Sequence, residues 1–212
     1  MKINRKKILV CFGVILILLN FTARYSIAKC PTRMGSVFPQ ESFLVIAHRG
    51  STIKFPENTI PAFKEALNAD GANSLEVDLS LTKDRKVVLW HDWDPNNPIA
   101  MVRQEKGEEG GKFKPYVFSL VKPRSQKKVS ELDFSEFVDK HGYKDKITNV
   151  KTNLKIPTLQ DLIEWAAKQD KLKFLMLKLR VPVDEKYLIP VMVDEIRKAI
   201  NHTHPSPRFQ FV

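Results

Sequence analysis

FLVIAHRG (residues 43–50), FPENTIPAFKEAL (55–67) and LEVDLSLTKDRKVVLWHD (75–92) set two histidines and two carboxylates at the ends of apolar runs. Phe43 to Ala47 is unbroken and apolar, the pattern of a strand buried on both faces, and it stops at His48-Arg49-Gly50. Glu76 and Asp78 flank Val77, so a period of two turns both carboxylates to one side of a second strand. Val87 to Trp90 is a third apolar run, closed by His91-Asp92.

Each residue alone has an ordinary reading. A histidine after a strand is commonly structural, and a Glu-x-Asp pair commonly forms a solvated face. Together at neighbouring strand ends, two imidazoles and two carboxylates fit acid–base chemistry around a hard cation. Between these runs, Ile60, Phe63, Ala66 and Leu67 recur at helical spacing, with Thr59 as N-cap and Pro61 in the first turn. Residues 43–80 therefore read as strand, loop, helix, strand, a unit that leads into a parallel sheet. The six or so residues joining the second and third strands are too few for a helical crossover and predict a hairpin around Lys83-Asp84-Arg85.

The motifs His48-Arg49-Gly50, Pro56-Glu57-Asn58-Thr59, Glu76-Val77-Asp78, His91-Asp92 and Ile156-Pro157-Thr158-Leu159 resemble, in order and spacing, those of the glycerophosphodiester phosphodiesterase family. The resemblance covers about residues 43–212 apart from a divergent stretch at about 93–155. It implies a (β/α)8 barrel of the TIM type, with the site at the carboxyl ends of the strands. It also implies hydrolysis of glycerophosphodiesters to an alcohol and glycerol phosphate. Carried over, His48 and His91 become the acid–base pair, and Glu76 and Asp78 the ligands of a divalent cation, Ca²⁺ or Mg²⁺. Arg49 and Lys178 become the groups that hold the phosphate, while Glu57 and Asn58 shape their loop.

Two departures qualify this. The family commonly carries an acidic third metal ligand two residues before the strand lysine, and here that position is Met176, a soft and poor partner for such cations. The sequence also supplies only four core strands and the start of a fifth, near 208–212, so the chain is expected to be part of a longer protein or to need a partner. The alternative function is accordingly a catalytically impaired remnant, or a protein that binds phospholipid headgroups. A lysophospholipid-type substrate is a further variant.

Residues 1–28 read as a secretory signal peptide, or else an N-terminal anchor. Lys2, Arg5, Lys6 and Lys7 precede an apolar run from Ile8 to Leu19, and small residues end at Ala28. Residues 29–42 are a linker, and the protein is expected to be exported. Cys11 lies in the apolar run, which leaves Cys30 without a partner, so the fold rests on packing rather than a disulfide. Removing 1–28 lowers the net charge from +11 to +6. That is moderately basic, and no helix-turn-helix, zinc or heptad context points to nucleic acid.

From Lys112 to Lys128 six basic and no acidic residues interleave with Phe113, Tyr116 and Phe118. This reads either as a solvated insertion or as a lip that meets anionic lipid. Val129 to His141 is expected to be a short helix capped by Ser130 or Asp133. Thr158 opens another helix bearing Leu159, Leu162, Ile163 and Ala166. Lys173 to Leu179 is a strand, and Asp184 to Ile200 a further amphipathic helix.

Overall fold

A computed structural model describes residues 43–119, 126–202 and 210–211. The expected leader, linker and Cys30 lie outside these residues, and among the described residues no helix is long and apolar enough to cross a membrane. In chain order the elements are β1 (Ile46–His48), α1 (Ile60–Asn68), β2 (Ser74–Leu81), β3 (Val87–Leu89), α2 (Pro98–Lys106), β4 (Phe113–Val117), α3 (Phe134–Lys140), β5 (His141–Asp145), α4 (Leu159–Ala166), β6 (Phe174–Leu179), α5 (Ile189–His202) and β7 (Gln210–Phe211).

The main sheet is assembled on β2, which is buried along its whole length. Strands β1 and β6 flank it in parallel, β7 continues the order beyond β6, and β3 folds back antiparallel on the far end of β2 as the expected hairpin. Alternation then sorts the side chains. Leu75, Val77, Leu79 and Leu81 join Phe63 and Leu67 of α1, Leu159 and Leu162 of α4, and Met192 and Ile196 of α5 in the principal core. Burying each such leucine contributes on the order of 1.5–3 kcal/mol. The other face of β2 is left with Ser74, Glu76, Asp78 and Ser80, all buried and all polar. The register sets Met176 beside Glu76 and Lys178 beside Asp78.

Local chemistry explains the helix starts. Thr59 caps α1 by accepting from the Ala62 amide, and Thr158 caps α4 in a reciprocal pair with Asp161. Strand β1 departs from expectation. Phe43 is 94% and Val45 50% exposed, and the strand begins only at Ile46. Phe43 and Val45 are held instead by the Asn73 side-chain amide, which bonds the backbone of both. Among the described residues β1 pairs with β2 alone, so one of its edges stays uncovered.

Residues 93–155 hold more order than their pattern indicated. Helix α2 starts at an Asn97 cap with Pro98 in its first turn, and β4 and β5 pair antiparallel. The single helix expected over 129–141 is a 3₁₀ turn (Val129–Glu131) followed by α3. Ser130 does not cap it; its hydroxyl donates to Glu185 Oε2 at 2.6 Å. Glu185 also accepts from Trp93 Nε1 at 3.0 Å and pairs with Lys128 Nζ at 2.7 Å. Pinned there, Glu185 breaks the helix expected from Asp184 into a 3₁₀ segment (Val183–Leu188) and α5.

A second core joins β3 to this region: Val88, Trp90, Val129, Leu132, Phe137, Tyr143 and Ile156. Trp90 meets Phe137 edge-on at 5.9 Å, and His141 stacks on Phe137 at 4.4 Å. His141 Nδ1 lies 3.0 Å from the Phe137 carbonyl, an acceptor only, so this nitrogen carries the proton. Burial pushes His141 down to about 4. Between about pH 6.5 and 4 the unfolded chain therefore binds a proton that the folded chain refuses, and stability falls as pH falls through that window. The loss attributable to His141 is about 3 kcal/mol. His141→Phe, which keeps the stacking, should lose correspondingly less stability than the parent between pH 7 and pH 4 when both are unfolded by urea. Parallel losses in the two proteins would refute this.

Candidate active site

The site begins at a backbone turn. After His48 the chain must reverse into α1, and it does so through consecutive positive φ angles, 60° at Arg49 and 85° at Gly50. A Cβ on Gly50 would lie 2.8 Å from the Ala62 carbonyl carbon, so only glycine fits against α1. Arg49 pays a left-handed cost of roughly 1–2 kcal/mol. It is held there by its amide bonding the Glu76 carbonyl and its carbonyl accepting from the Asn58 amide, both at 3.0 Å.

That turn lays Arg49 back across the middle of β2. The guanidinium is buried, with Nε 2.7 Å from Asp78 Oδ2 and Nη1 at 2.9 Å from Glu57 and 2.7 Å from Glu108. Burial acts to lower its pKa, but Glu57 and Asp78 outweigh this and raise it, so Arg49 is a permanent cation. Asn58 supports the same corner: its amide oxygen accepts from the Asp78 backbone N–H at 3.1 Å.

His48, Glu76 and Met176 form one row across β1, β2 and β6; Asp78 and Lys178 form the next. His48 is largely exposed, with Nε2 3.7 Å from Glu76 Oε2. Partial burial and the neighbouring Arg49 pull its pKa below the ordinary histidine value, against Glu76 and Asp78. Lys178 Nζ lies 3.3 Å from Glu76 Oε1, and Arg180 Nε 3.7 Å from Asp78 Oδ1. Glu76 Oε2 and Asp78 Oδ1 are buried and accept no hydrogen bond.

His91 follows β3 and lines a cleft of about 330 Å³ together with Asp92, Arg180 and Ala100. Its Nδ1 is 2.6 Å from Asp92 Oδ1, and its carbonyl accepts from Arg180 Nε at 3.3 Å. Behind it, Arg103 Nε reaches both Asp92 oxygens at 3.0 and 3.1 Å, and its remaining nitrogens bond Glu57 and Glu108. Burial acts to raise the Asp92 pKa, but the bonds from His91 and Arg103 prevail and hold it below the ordinary carboxylate value.

The structure thus brings His48, Glu76, Asp78 and Lys178 to one end of the sheet, and joins His91 to them through Arg180. Sequence reasoning missed Arg103, Glu108 and Arg180. Asn97-Pro98 and Gly107 bracket α2 and signal the helix that carries Arg103. Arg180 lies two residues past Lys178, on the same face by strand alternation.

The chain matches the glycerophosphoryl diester phosphodiesterase family over residues 48–206. It belongs to that family. Among curated relatives it is 32% identical over 134 residues to the uncharacterised protein YqiK of Bacillus subtilis (strain 168), covering 63% of this chain and 44% of that one. It is 26% identical over 161 residues to a glycerophosphodiester phosphodiesterase of the same organism, covering 76% and 48%. The chain therefore spans about half the length of these curated relatives. Among solved structures it resembles a candidate glycerophosphoryl diester phosphodiesterase of Silicibacter pomeroyi DSS-3, with a TM-score of 0.58 at 20% identity, covering 82% of this chain and 58% of that one. This likeness carries the fold, the (β/α)8 barrel class anticipated from the motifs.

The family typically depends on a divalent cation, and the donors here can be tested against one. Glu76 and Asp78 are hard oxygen ligands, and each keeps a buried oxygen without a hydrogen bond, the condition in which a cation is welcome. No group of three or more His, Cys, Asp or Glu side chains converges on one point among the described residues. What the described residues offer such an ion is two hard carboxylates with one unbonded oxygen each.

Proposed function

We propose that this protein hydrolyses glycerophosphodiesters to an alcohol and glycerol phosphate, with His48 and His91 in complementary proton-transfer roles. The observation that carries the proposal is the cluster of His48, Glu76, Asp78, Lys178 and Arg180 at one sheet end, with His91 reached through Arg180. Cleaving a phosphodiester requires charge on a non-bridging oxygen to be neutralised, an attacking oxygen to lose a proton and the departing alkoxide to gain one. Lys178 and Arg180, both partly exposed, supply positive charge at the strand ends for the phosphate. Arg49, assigned to the phosphate by the motif, is buried against three carboxylates and braces the site from behind. His48 is kept predominantly neutral at neutral pH and is exposed, as an acceptor of the attacking proton must be. His91 has Nδ1 committed to Asp92, which leaves Nε2 for transfer at the opposite oxygen. A divalent cation held by Glu76 and Asp78, Ca²⁺ or Mg²⁺, would supply Lewis-acid stabilisation of the phosphoryl oxygen.

The alternative is a headgroup binder without turnover, and Met176 favours it, because a thioether stands in the row of His48 and Glu76 where a further carboxylate would serve. We also propose that the protein is exported by means of residues 1–28; N-terminal sequencing of the exported protein, with Met1 retained, would refute cleavage.

A second observation favours contact with an anionic phospholipid surface. Lys114 lies opposite Lys144 across β4 and β5, and Lys144 opposite Lys151 across a further bridge. Directly opposed residues project to the same side, so three ammonium groups share one row, an arrangement that costs stability by itself. Lys144 and Lys151 lie 4.0 and 5.5 Å from the Tyr116 ring, and no carboxylate pairs with any of the three lysines among the described residues.

Three outcomes test these readings. His48→Ala and His91→Ala should each lower turnover of a glycerophosphodiester by ~10²–10⁴-fold; near-full activity in either variant removes that histidine from the mechanism. Met176→Glu should steepen the rise of thermal stability with Ca²⁺ or Mg²⁺, since an ion that prefers the folded state stabilises it with concentration. A variant less stable at every ion concentration, with no steeper dependence, would sink the missing-ligand reading. Replacing Lys114, Lys144 and Lys151 together by Gln should weaken partition onto phosphatidylserine vesicles by about two orders of magnitude, at about 1 kcal/mol per lysine. Unchanged partition, or equal binding of the parent to phosphatidylcholine vesicles, counts against lipid contact.

A further inference from the structure

We infer that Arg103 is a positioning residue that fixes, through Asp92, which ring nitrogen of His91 carries the proton and where the ring points. The inference rests on the reading that His91 transfers a proton, but its central claim concerns the geometry of His91 and can fail separately.

Arg103 projects from α2, and its side chain is only 5% exposed. One nitrogen, Nε, bonds both oxygens of Asp92, at 3.0 and 3.1 Å. The one Nε–H shared between the two oxygens fixes where the carboxylate sits, and the His91 Nδ1 contact at Oδ1 then sets how it is turned. The other two nitrogens are committed to Glu57 and Glu108, so the guanidinium cannot rotate without breaking an ion pair. Glu57 and Glu108 in turn hold Arg49. The arginine is therefore clamped by the same carboxylates that clamp the HRG turn.

Asp92 transmits this constraint. An ionised carboxylate only accepts hydrogen bonds. At 2.6 Å from Asp92 Oδ1, His91 Nδ1 must be the donor, which leaves Nε2 as the free nitrogen of the neutral ring. The main chain beneath the ring is held as well, since Arg180 bonds the His91 carbonyl and Trp90 Nε1 donates to the Asp92 carbonyl at 3.0 Å. Arg103 itself lies behind Asp92, away from the cleft lining, and touches no reacting group. Lysine cannot reproduce this arrangement, since one ammonium does not offer three separated nitrogens in a plane.

The test is histidine ring nitrogen spectroscopy on the ¹⁵N-labelled full chain, with His91 assigned from the signal lost in His91→Gln. Wild type should show His91, when neutral, as the single Nδ1–H tautomer. Arg103→Lys, which preserves the charge, should yield mixed tautomers and lower kcat on a glycerophosphodiester by roughly 10–100-fold, with KM changed less than two-fold. Asp92→Asn should disturb the tautomer similarly, because its amide can donate as well as accept; it decides the matter should Arg103→Lys fail to fold by circular dichroism. A single Nδ1–H tautomer in both variants overturns the inference, and a fall in kcat without a tautomer change reduces Arg103 to a structural role and overturns it equally. A tautomer shift in a chain whose wild type hydrolyses nothing leaves the inference standing and rejects the catalytic reading instead.

Discussion

Asp78, Arg49, Glu57, Arg103 and Asp92 alternate in sign along one buried path, and the arrangement of everything around the site depends on it. Taking five charged groups out of water is tolerable only if each meets opposite charge at short range. Removing one member leaves its neighbours as uncompensated buried charges, and such losses commonly reach about 3–5 kcal/mol. The path therefore enforces its own completeness. It also ties helix α2, which no ladder pairs with the main sheet, to the turn after β1, to β2 and to the turn after β3. Glu108 closes the path by touching both arginines.

The same path explains what was legible in the amino-acid sequence. Period-two alternation identified β2 and put Glu76 and Asp78 together, because a strand buried on both sides must declare its faces locally. Thr59 and Thr158 announced their helices through capping chemistry, which acts within a few residues. Arg103 was invisible for the opposite reason. Its meaning lies in carboxylates 11 and 46 positions away, and an arginine on a helix of weak periodicity reads as solvated surface. Glu185 was hidden in the same way, and so was the break it imposes on the expected helix. The strand at Phe43 failed differently: an apolar run shows that residues prefer burial, yet it does not say whether a neighbour is present to bury them.

The two histidines differ in setting as sharply as they resemble each other in sequence. His48 sits largely exposed at an open strand end, where partial burial and then Arg49 lower its pKa against the carboxylates of β2. His91 is enclosed and has one nitrogen assigned. Two groups alike in sequence thus stand in unequal surroundings. In the row of His48 itself, Met176 sets a thioether beside Glu76.

The clasp at Glu185 bears on the order in which the molecule comes together. Trp93, Lys128 and Ser130 all converge on a carboxylate 55 to 92 positions further along, beyond β6. Loop closure over such separations is entropically expensive and slow to be rewarded. The hairpin of β2 and β3 closes over a few residues, whereas the clasp on Glu185 closes only with the chain that leaves β6. The region around α2 is thus tied twice, at short range by Arg103 to Asp92 and at long range by the clasp on Glu185.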